Sequence, residues 1–160
     1  MSESEERQLL LEDKLAILET MNRYAYYIDH KMLDEVMDIF TEDAVADYDV
    51  FGKLKGKEEL REFFTNYMAG KTNFKFWFHM MHNGFVEIEG NTAKGFWQLE
   101  MASTFGDIGA TWLFGTYNTK FVKMNNQWKL KEVNLKVHML TPYREGWDRI
   151  GLAIPGYPRT

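Results

Sequence analysis

The sequence contains no cysteine, which removes disulfides, thiolate metal sites and cysteine nucleophiles together and suits a reducing compartment. Proline is scarce: there are three, and all lie beyond Thr141. Everything before them is free of the residue that most often breaks helices and central strands. No run approaches the roughly 18 to 20 apolar residues of a membrane helix, and the polar, acidic opening Met1 to Arg7 leads into no signal-type apolar stretch. The expected location is cytoplasmic. With a net charge of −5 and thinly spread lysines, the chain offers no stripe for tracking phosphates, so neither nucleic acid nor an anionic membrane is an expected partner. It also lacks internal repeats, a glycine-rich phosphate loop, a nucleophile elbow and a recognisable Ser/His/Asp arrangement, so covalent catalysis is not indicated. What it has in quantity is aromatic rings, 16% of its residues. In a chain of one domain's length, these demand either a thick core or the walls of a cavity.

From Leu9 to Asp29 the apolar residues recur at helical spacing, with Leu11, Leu18, Met21, Ala25 and Ile28 in one stripe. Met32 to Phe40 repeats the pattern in a shorter helix, and Ala44 to Val50 reads as a strand. Gly52 and Gly56 bracket a turn. Lys57 to Met68 then carries Leu60, Phe63, Phe64 and Tyr67 at i, i+3, i+4 and i+7, a third helix closed near Gly70. The rest reads as four strands, Phe74 to Glu89, Thr92 to Thr104, Ile108 to Met124 and Gln127 to Leu140, separated by hairpin signals. Strands this long must bend, and Gly84, Gly95 and Gly115 are the natural places for bulges or kinks. The expected class is α+β, with helices packed on a strongly curved antiparallel sheet, a half-barrel. Residues Thr141 to Thr160, with Tyr143, Trp147 and all the prolines, read as an irregular tail that covers the pocket or packs on a neighbour.

Asp29 is the first anomaly, because on the helical wheel it falls beside Leu11 and Leu18 within the apolar stripe. A carboxylate there either finds partners, shifts its pKa or caps the next segment from the surface. Tyr24, about 140° away on the same helix, sits at the stripe's edge, where its hydroxyl can swing toward the inner end. His79 and His82 have a His-x-x-His spacing, but strand residues three apart face opposite ways and cannot grip one ion without a bulge. No metal and no cofactor are therefore expected. Parity groups His82 with Phe74, Phe76, Phe78 and Met80, and His79 with Trp77 and Met81. If the first set faces inward, His82 is the lone titratable group on an apolar wall, either a satisfied core histidine or a general base. Glu100, Asn118, Glu132 and His138 also lie on strands, but period 2 cannot assign their face once bulges are allowed.

The segment Arg23-Tyr24-Ala25-Tyr26-Tyr27-Ile28-Asp29, followed by Leu33-Asp34 and Phe40-Thr41-Glu42-Asp43-Ala44-Val45, resembles the opening of SnoaL-like domains of the nuclear-transport-factor-2-like superfamily. Gln127-Trp128-Lys129-Leu130 resembles the start of that family's last strand. The resemblance spans Leu11 to Leu140 and implies a cone, three helices on a curved antiparallel sheet with a pocket between them. Within the superfamily the chain is most similar to the cofactor-independent bile-acid and scytalone dehydratases. Tyr24 and Asp29 stand at the tyrosine and aspartate spacing of the bile-acid enzyme, and His82 stands at its catalytic histidine. Asp29, His79 and Trp147-Asp148-Arg149-Ile150 resemble scytalone dehydratase, the last being the segment that closes over its pocket. The implied catalytic set is Tyr24, Asp29 and His82.

Four further residues, His79, Tyr48, Asn118 and Lys136, are expected to meet the substrate. Lys136 stands where the bile-acid enzyme has an arginine, keeping the charge without the bidentate fork. Ser103 stands for a second histidine of scytalone dehydratase. Ketosteroid isomerases share Arg23-Tyr24, but their catalytic aspartate would fall at Tyr48. With Phe76, Phe78, Trp97, Trp112 and Phe114 as walls, the expected substrate is a polycyclic or aromatic hydroxylated carbonyl compound. The expected activity is dehydration, with His82 taking a proton, Asp29 orienting it and Tyr24 holding the enolate. The alternatives are an isomerase or cyclase, or a non-catalytic ligand-binding or oxygenase small-subunit-like module, because the same helix pattern occurs in members that are not enzymes. The resemblance also implies a homo-oligomer, a dimer or trimer joined through the sheet's outer face.

Overall fold

Ser2 Oγ accepts a hydrogen bond from the Glu5 amide while the Glu5 carboxylate accepts one from the Ser2 amide. This capping box starts α1 (Glu3–Asp29) well before the apolar periodicity begins. The computed structural model describes residues 2–147. The first turns of α1 stand clear of the body, with Leu9, Leu10, Leu11 and Leu15 exposed, so Leu11 drops out of the expected stripe. Burial begins at Ile17 and runs through Met21, Tyr24, Ala25 and Ile28. Next come α2 (Leu33–Ile39) and α3 (Gly56–Met68); α3 buries Leu60, Phe64, Tyr67 and Met68. No helix of the described residues is long and apolar enough to cross a membrane.

The sheet has six strands, β1 (Phe40–Asp47), β2 (Lys53–Lys55), β3 (Phe74–Glu89), β4 (Thr92–Phe105), β5 (Gly109–Met124) and β6 (Gln127–Pro142), in the order β2-β1-β6-β5-β4-β3. From β3 to β6 it is the antiparallel meander that the hairpin signals predict. Two features depart from expectation. The first strand begins at Phe40 and lies parallel to β6, and β2 adds an antiparallel edge. A three-residue strand has no period to read, and a parallel partner so far along the chain leaves no local turn signal. After β1, Asp49 takes φ 56° and starts a short 3-10 turn, Asp49–Phe51, where an extended strand is expected. Its carboxylate accepts the Val137 amide at 3.0 Å, continuing the edge pairing of β6 beyond the last residue of β1.

Register shifts at His82/Phe85 and Phe114/Gly115 fall where Gly84 and Gly115 predict them. Gly95 lies in unbroken register and serves another purpose. A Cβ there would sit 2.3 Å from Trp97 Cζ3, and one at Gly84 would sit 2.2 Å from Trp97 Nε1. The two glycines form a slot for the indole, which is buried on the inner face. Asp13 accepts hydrogen bonds from Lys123 Nζ at 2.7 Å and Trp128 Nε1 at 2.8 Å. This clasp ties the N-terminal half of α1 to the β5–β6 hairpin, while the C-terminal end of the helix lies against β3.

Candidate active site

A carboxylate in the last turn of a helix faces the negative end of the helix dipole and needs compensating donors. Asp29 has two, both from His79. The backbone N–H of His79 reaches Oδ2 at 2.9 Å, and its Nδ1 lies 2.6 Å from Oδ1. Both side chains are nearly closed off, 7% exposed for Asp29 and 8% for His79. An ionised carboxylate only accepts, so Nδ1 carries a proton, and in the neutral imidazole Nε2 is then the acceptor. Beside this pair Trp77 Nε1 donates at 3.3 Å to the Ile28 carbonyl, which also accepts the Lys31 amide at the end of α1.

His82, expected as the inward histidine, lies instead on the outer face, about half exposed, with Nε2 3.3 Å from a Glu100 oxygen. The reason is the irregularity between Phe74 and Phe76. Phe74 and Trp77 are both buried across it, although they are three residues apart. Beyond it the alternation runs Trp77, His79, Met81 inward and Phe76, Phe78, His82 outward. A parity count started at Phe74 therefore selects the wrong face.

His79 forms part of the wall of a cavity of about 50 Å³ lined by α1, α3, the Asp49–Phe51 turn and the inner face of the sheet. Its polar rim is made of phenols. Tyr24 Oη lies 2.8 Å from Tyr48 Oη, and the Tyr117 ring stands edge-on to that of Tyr24 with centroids 6.3 Å apart. The bond between Tyr24 and Tyr48 uses one of their two hydroxyl protons, leaving the other to donate to an occupant. Burial pushes Tyr24, Tyr48, Tyr67 and Tyr117 well above the ordinary phenol value of 10, and the Asp29 charge raises Tyr67 and Tyr117 further.

A group neutral when protonated, with its folded pKa raised, contributes stability that is full below the unfolded value of about 10 and is lost as pH rises through the folded value. These four phenols are expected to ionise only together with the cooperative loss of far-UV circular dichroism above pH 10, as followed by NMR of ring-labelled tyrosine. Their ionisation in the folded protein below that pH would contradict the burial argument.

Of the other expected substrate contacts, Tyr48 lines the cavity, and so do Phe51, Phe63 and Tyr67, which were read only as core or turn residues or not singled out. Trp97 is buried on the inner face but fills its glycine slot away from the cavity. Phe78, Trp112 and Asn118 are on the outer face, with Phe76 and Phe114. Lys136 also points outward, its Nζ 3.3 Å from an Asp49 oxygen. Ser103 is buried in a 2.7 Å hydrogen bond with Thr111. Glu132 pairs with Lys120, and His138 bonds Thr116, both away from the cavity. Both faces of β3 to β5 are rich in aromatics, so hydrophobic alternation cannot tell the inner set from the outer. Tyr117 could have been found by its parity with Leu113 and Phe121, which are fully buried.

Among the described residues no group of three or more His, Asp or Glu side chains converges as metal ligands do. The expected closing segment Asp148-Arg149-Ile150 and the remaining tail lie outside the described residues. Trp147 is described and sits outside the cone, its ring 6.2 Å from that of Phe114.

The SnoaL-like domain family matches residues 10–134. An uncharacterized protein of Mycobacterium tuberculosis is 30% identical over 84 residues, 52% of this chain and 56% of that protein. The chain thus spans about half the length of the curated relatives it matches. Three solved structures share the fold. One from Novosphingobium aromaticivorans, named as a candidate aromatic ring hydroxylase, is 32% identical over 84% of this chain and 96% of its own, with a TM-score of 0.72. Another from the same organism, named as a candidate scytalone dehydratase, is 22% identical over 93% and 97%, with a TM-score of 0.73. The third is the hexachlorocyclohexane dehydrochlorinase LinA-type3 of Novosphingobium barchaimii, 16% identical over 82% and 90%, with a TM-score of 0.75.

Proposed function

The chain belongs to the SnoaL-like domain family, and we propose that it is a cofactor-independent lyase, a dehydratase that removes water from a hydroxylated carbonyl compound. The observation that carries this reading is the 2.6 Å contact between Asp29 and His79 at the wall of an apolar cavity rimmed by tyrosine hydroxyls. His79 takes the role that the sequence suggested for His82. Nε2 removes a proton from the carbon next to the carbonyl, and the electron pair moves onto the carbonyl oxygen. A phenolic O–H holds that oxygen as it becomes an enolate. The pair then returns, the C–O bond to the β-hydroxyl breaks, and the hydroxyl leaves as water with the proton that His79 carried. Asp29 is the positioning residue: it fixes the tautomer and stabilises the imidazolium. The names of two fold neighbours, a dehydratase and a dehydrochlorinase, are those of eliminating enzymes and agree with this class.

The test is a screen of hydroxylated ketones followed by enone absorbance, with wild type and Asp29→Asn. An asparagine can present its amide N–H to Nδ1, which moves the imidazole proton to Nε2 and removes the base. The expected loss is on the order of 10² or more in kcat/KM. Failure of the wild type to form an enone from any hydroxyketone would remove the dehydratase reading. A second reading, a binding or oxygenase-associated module, is favoured by the ring-hydroxylase name of the 32% identical structure. It requires binding without turnover and an Asp29→Asn variant that binds as well as wild type. Self-association belongs to either reading, because Phe76, Phe78 and Phe85 are about half exposed on the sheet's outer face.

A further inference from the structure

Cavity size, shape and polar content together narrow the occupant. The cavity has about 50 Å³ of room for the centres of water molecules. A water needs roughly 10 to 15 Å³ of such room and fills about 30 Å³ in the liquid, so the space holds about three to five waters, or one six-membered ring. The wall is also aromatic. Tyr48, Phe63 and Tyr67 stack in a row, with centroids 5.4 and 5.9 Å apart and planes 17° and 13° from parallel. Rings that stack on one another turn their edges outward along the row, which suits edge-to-face contact with a ring in the cavity.

The polar inventory excludes charge. No lysine or arginine lines the cavity, and Lys136, the expected cation, faces outward toward Asp49. The nearest formal charge at the wall is the Asp29 carboxylate, which hydrogen-bonds the lining residue His79. A carboxylate or phosphate brought in would be buried without a partner and repelled by Asp29. What the cavity offers is phenolic O–H groups, suited to a carbonyl oxygen, and the imidazole. Among the lining residues only Phe51, Phe63 and His79 are not fully buried. Phe51 and Phe63 therefore frame the mouth, and Phe63 is also the middle ring of the stack.

We propose that this cavity takes a neutral molecule of about one six-membered ring, a cyclic hydroxyketone, and refuses fused-ring and anionic compounds, with Phe63 as the residue that sets the size limit. The hydroxyketone part rests on the lyase reading above; the limits of size and charge rest on the cavity alone. The single ring replaces the polycyclic substrate that the strand aromatics had suggested.

The test uses methyl-labelled protein and three probes: cyclohex-2-enone, 1-tetralone with a second fused ring, and 4-oxocyclohexanecarboxylate with the same ring and a charge. Cyclohexenone is expected to shift the methyl signals of Leu99, Met101 and Leu135 saturably, and the other two to bind at least tenfold more weakly. Phe63→Ala is expected to improve 1-tetralone binding at least tenfold, and Phe63→Leu, which keeps the apolar stripe of α3, to improve it by less. The methyl spectrum of each variant reports whether it is folded. Equal binding of 1-tetralone or the carboxylate by wild type, binding of none of the probes, or indifference to both Phe63 variants would overturn the proposal. Cyclohexenone binding without enone formation from any hydroxyketone sinks the lyase reading and leaves the size limit standing. Turnover of a fused-ring hydroxyketone by wild type does the reverse.

Discussion

Replacing His79 with alanine is expected to lower enone formation by about 10²- to 10⁴-fold, the usual contribution of a general base, while His82→Ala leaves it essentially unchanged. The contrast follows from the geometry of β3. His79 lies 2.6 Å from Asp29 and lines the cavity, whereas His82 is on the other face beside Glu100. Loss of the His79 ring also leaves Asp29 with only the backbone N–H of residue 79, which costs about 1 to 3 kcal/mol of stability. Activity must therefore be compared at a temperature where both variants are folded. Added imidazole separates the two effects. In His79→Ala it can enter the vacated space and restore part of the rate, and it has no such space in Asp29→Asn. A His82→Ala variant that lost activity while His79→Ala kept it would mean that the strand presents its other face to the reaction.

The largest effect on stability is expected at Gly95. An alanine there places its Cβ 2.3 and 2.5 Å from two atoms of the Trp97 ring and 2.8 Å from Thr119 Oγ1. The indole has no room to retreat, because the backbone of Gly84 lies against its other edge. Gly95→Ala is therefore expected to cost about 3 kcal/mol, the upper end for overpacking, and to lower Tm by roughly 6–12 °C. Urea unfolding of the single and double variants provides the check. Trp97→Leu should be costly alone, yet Gly95→Ala should add little to it, since the clash is with the ring that has been removed. Strict additivity of the two would show that Gly95 is needed for some other reason, such as backbone freedom.

The difference between Gly95 and its companions shows what the sequence could and could not tell. All three glycines were read as bending points, since a glycine within a strand pattern is the local mark of a bulge. Gly84 and Gly115 do mark shifts in register. Gly95 is glycine because an indole two residues further on folds back against its backbone, and a packing requirement of that kind has no periodicity. The parallel contact of β1 with β6 was invisible for the same reason, since its partner is distant along the chain, and β2 is too short to show a period.

Local periodicity by itself determined the three helices, the four long strands and the curved antiparallel architecture. It also singled out Asp29 as a carboxylate in an apolar stripe, because helical spacing places a residue on a face whatever the rest of the chain does. Tertiary structure decided which histidine meets that carboxylate. Two histidines three apart on an unbroken strand face opposite ways, and the aromatics on both faces made each choice equally plausible from the sequence. The choice fell to the register shift beside Phe74, which arises only when β3 is fitted against β4 and the end of α1. The same fit brought Tyr24, Tyr48 and Tyr117 together from a helix, a turn and a strand. Contacts between elements so far apart in the chain follow from how the layers pack, and no local pattern of residues encodes them.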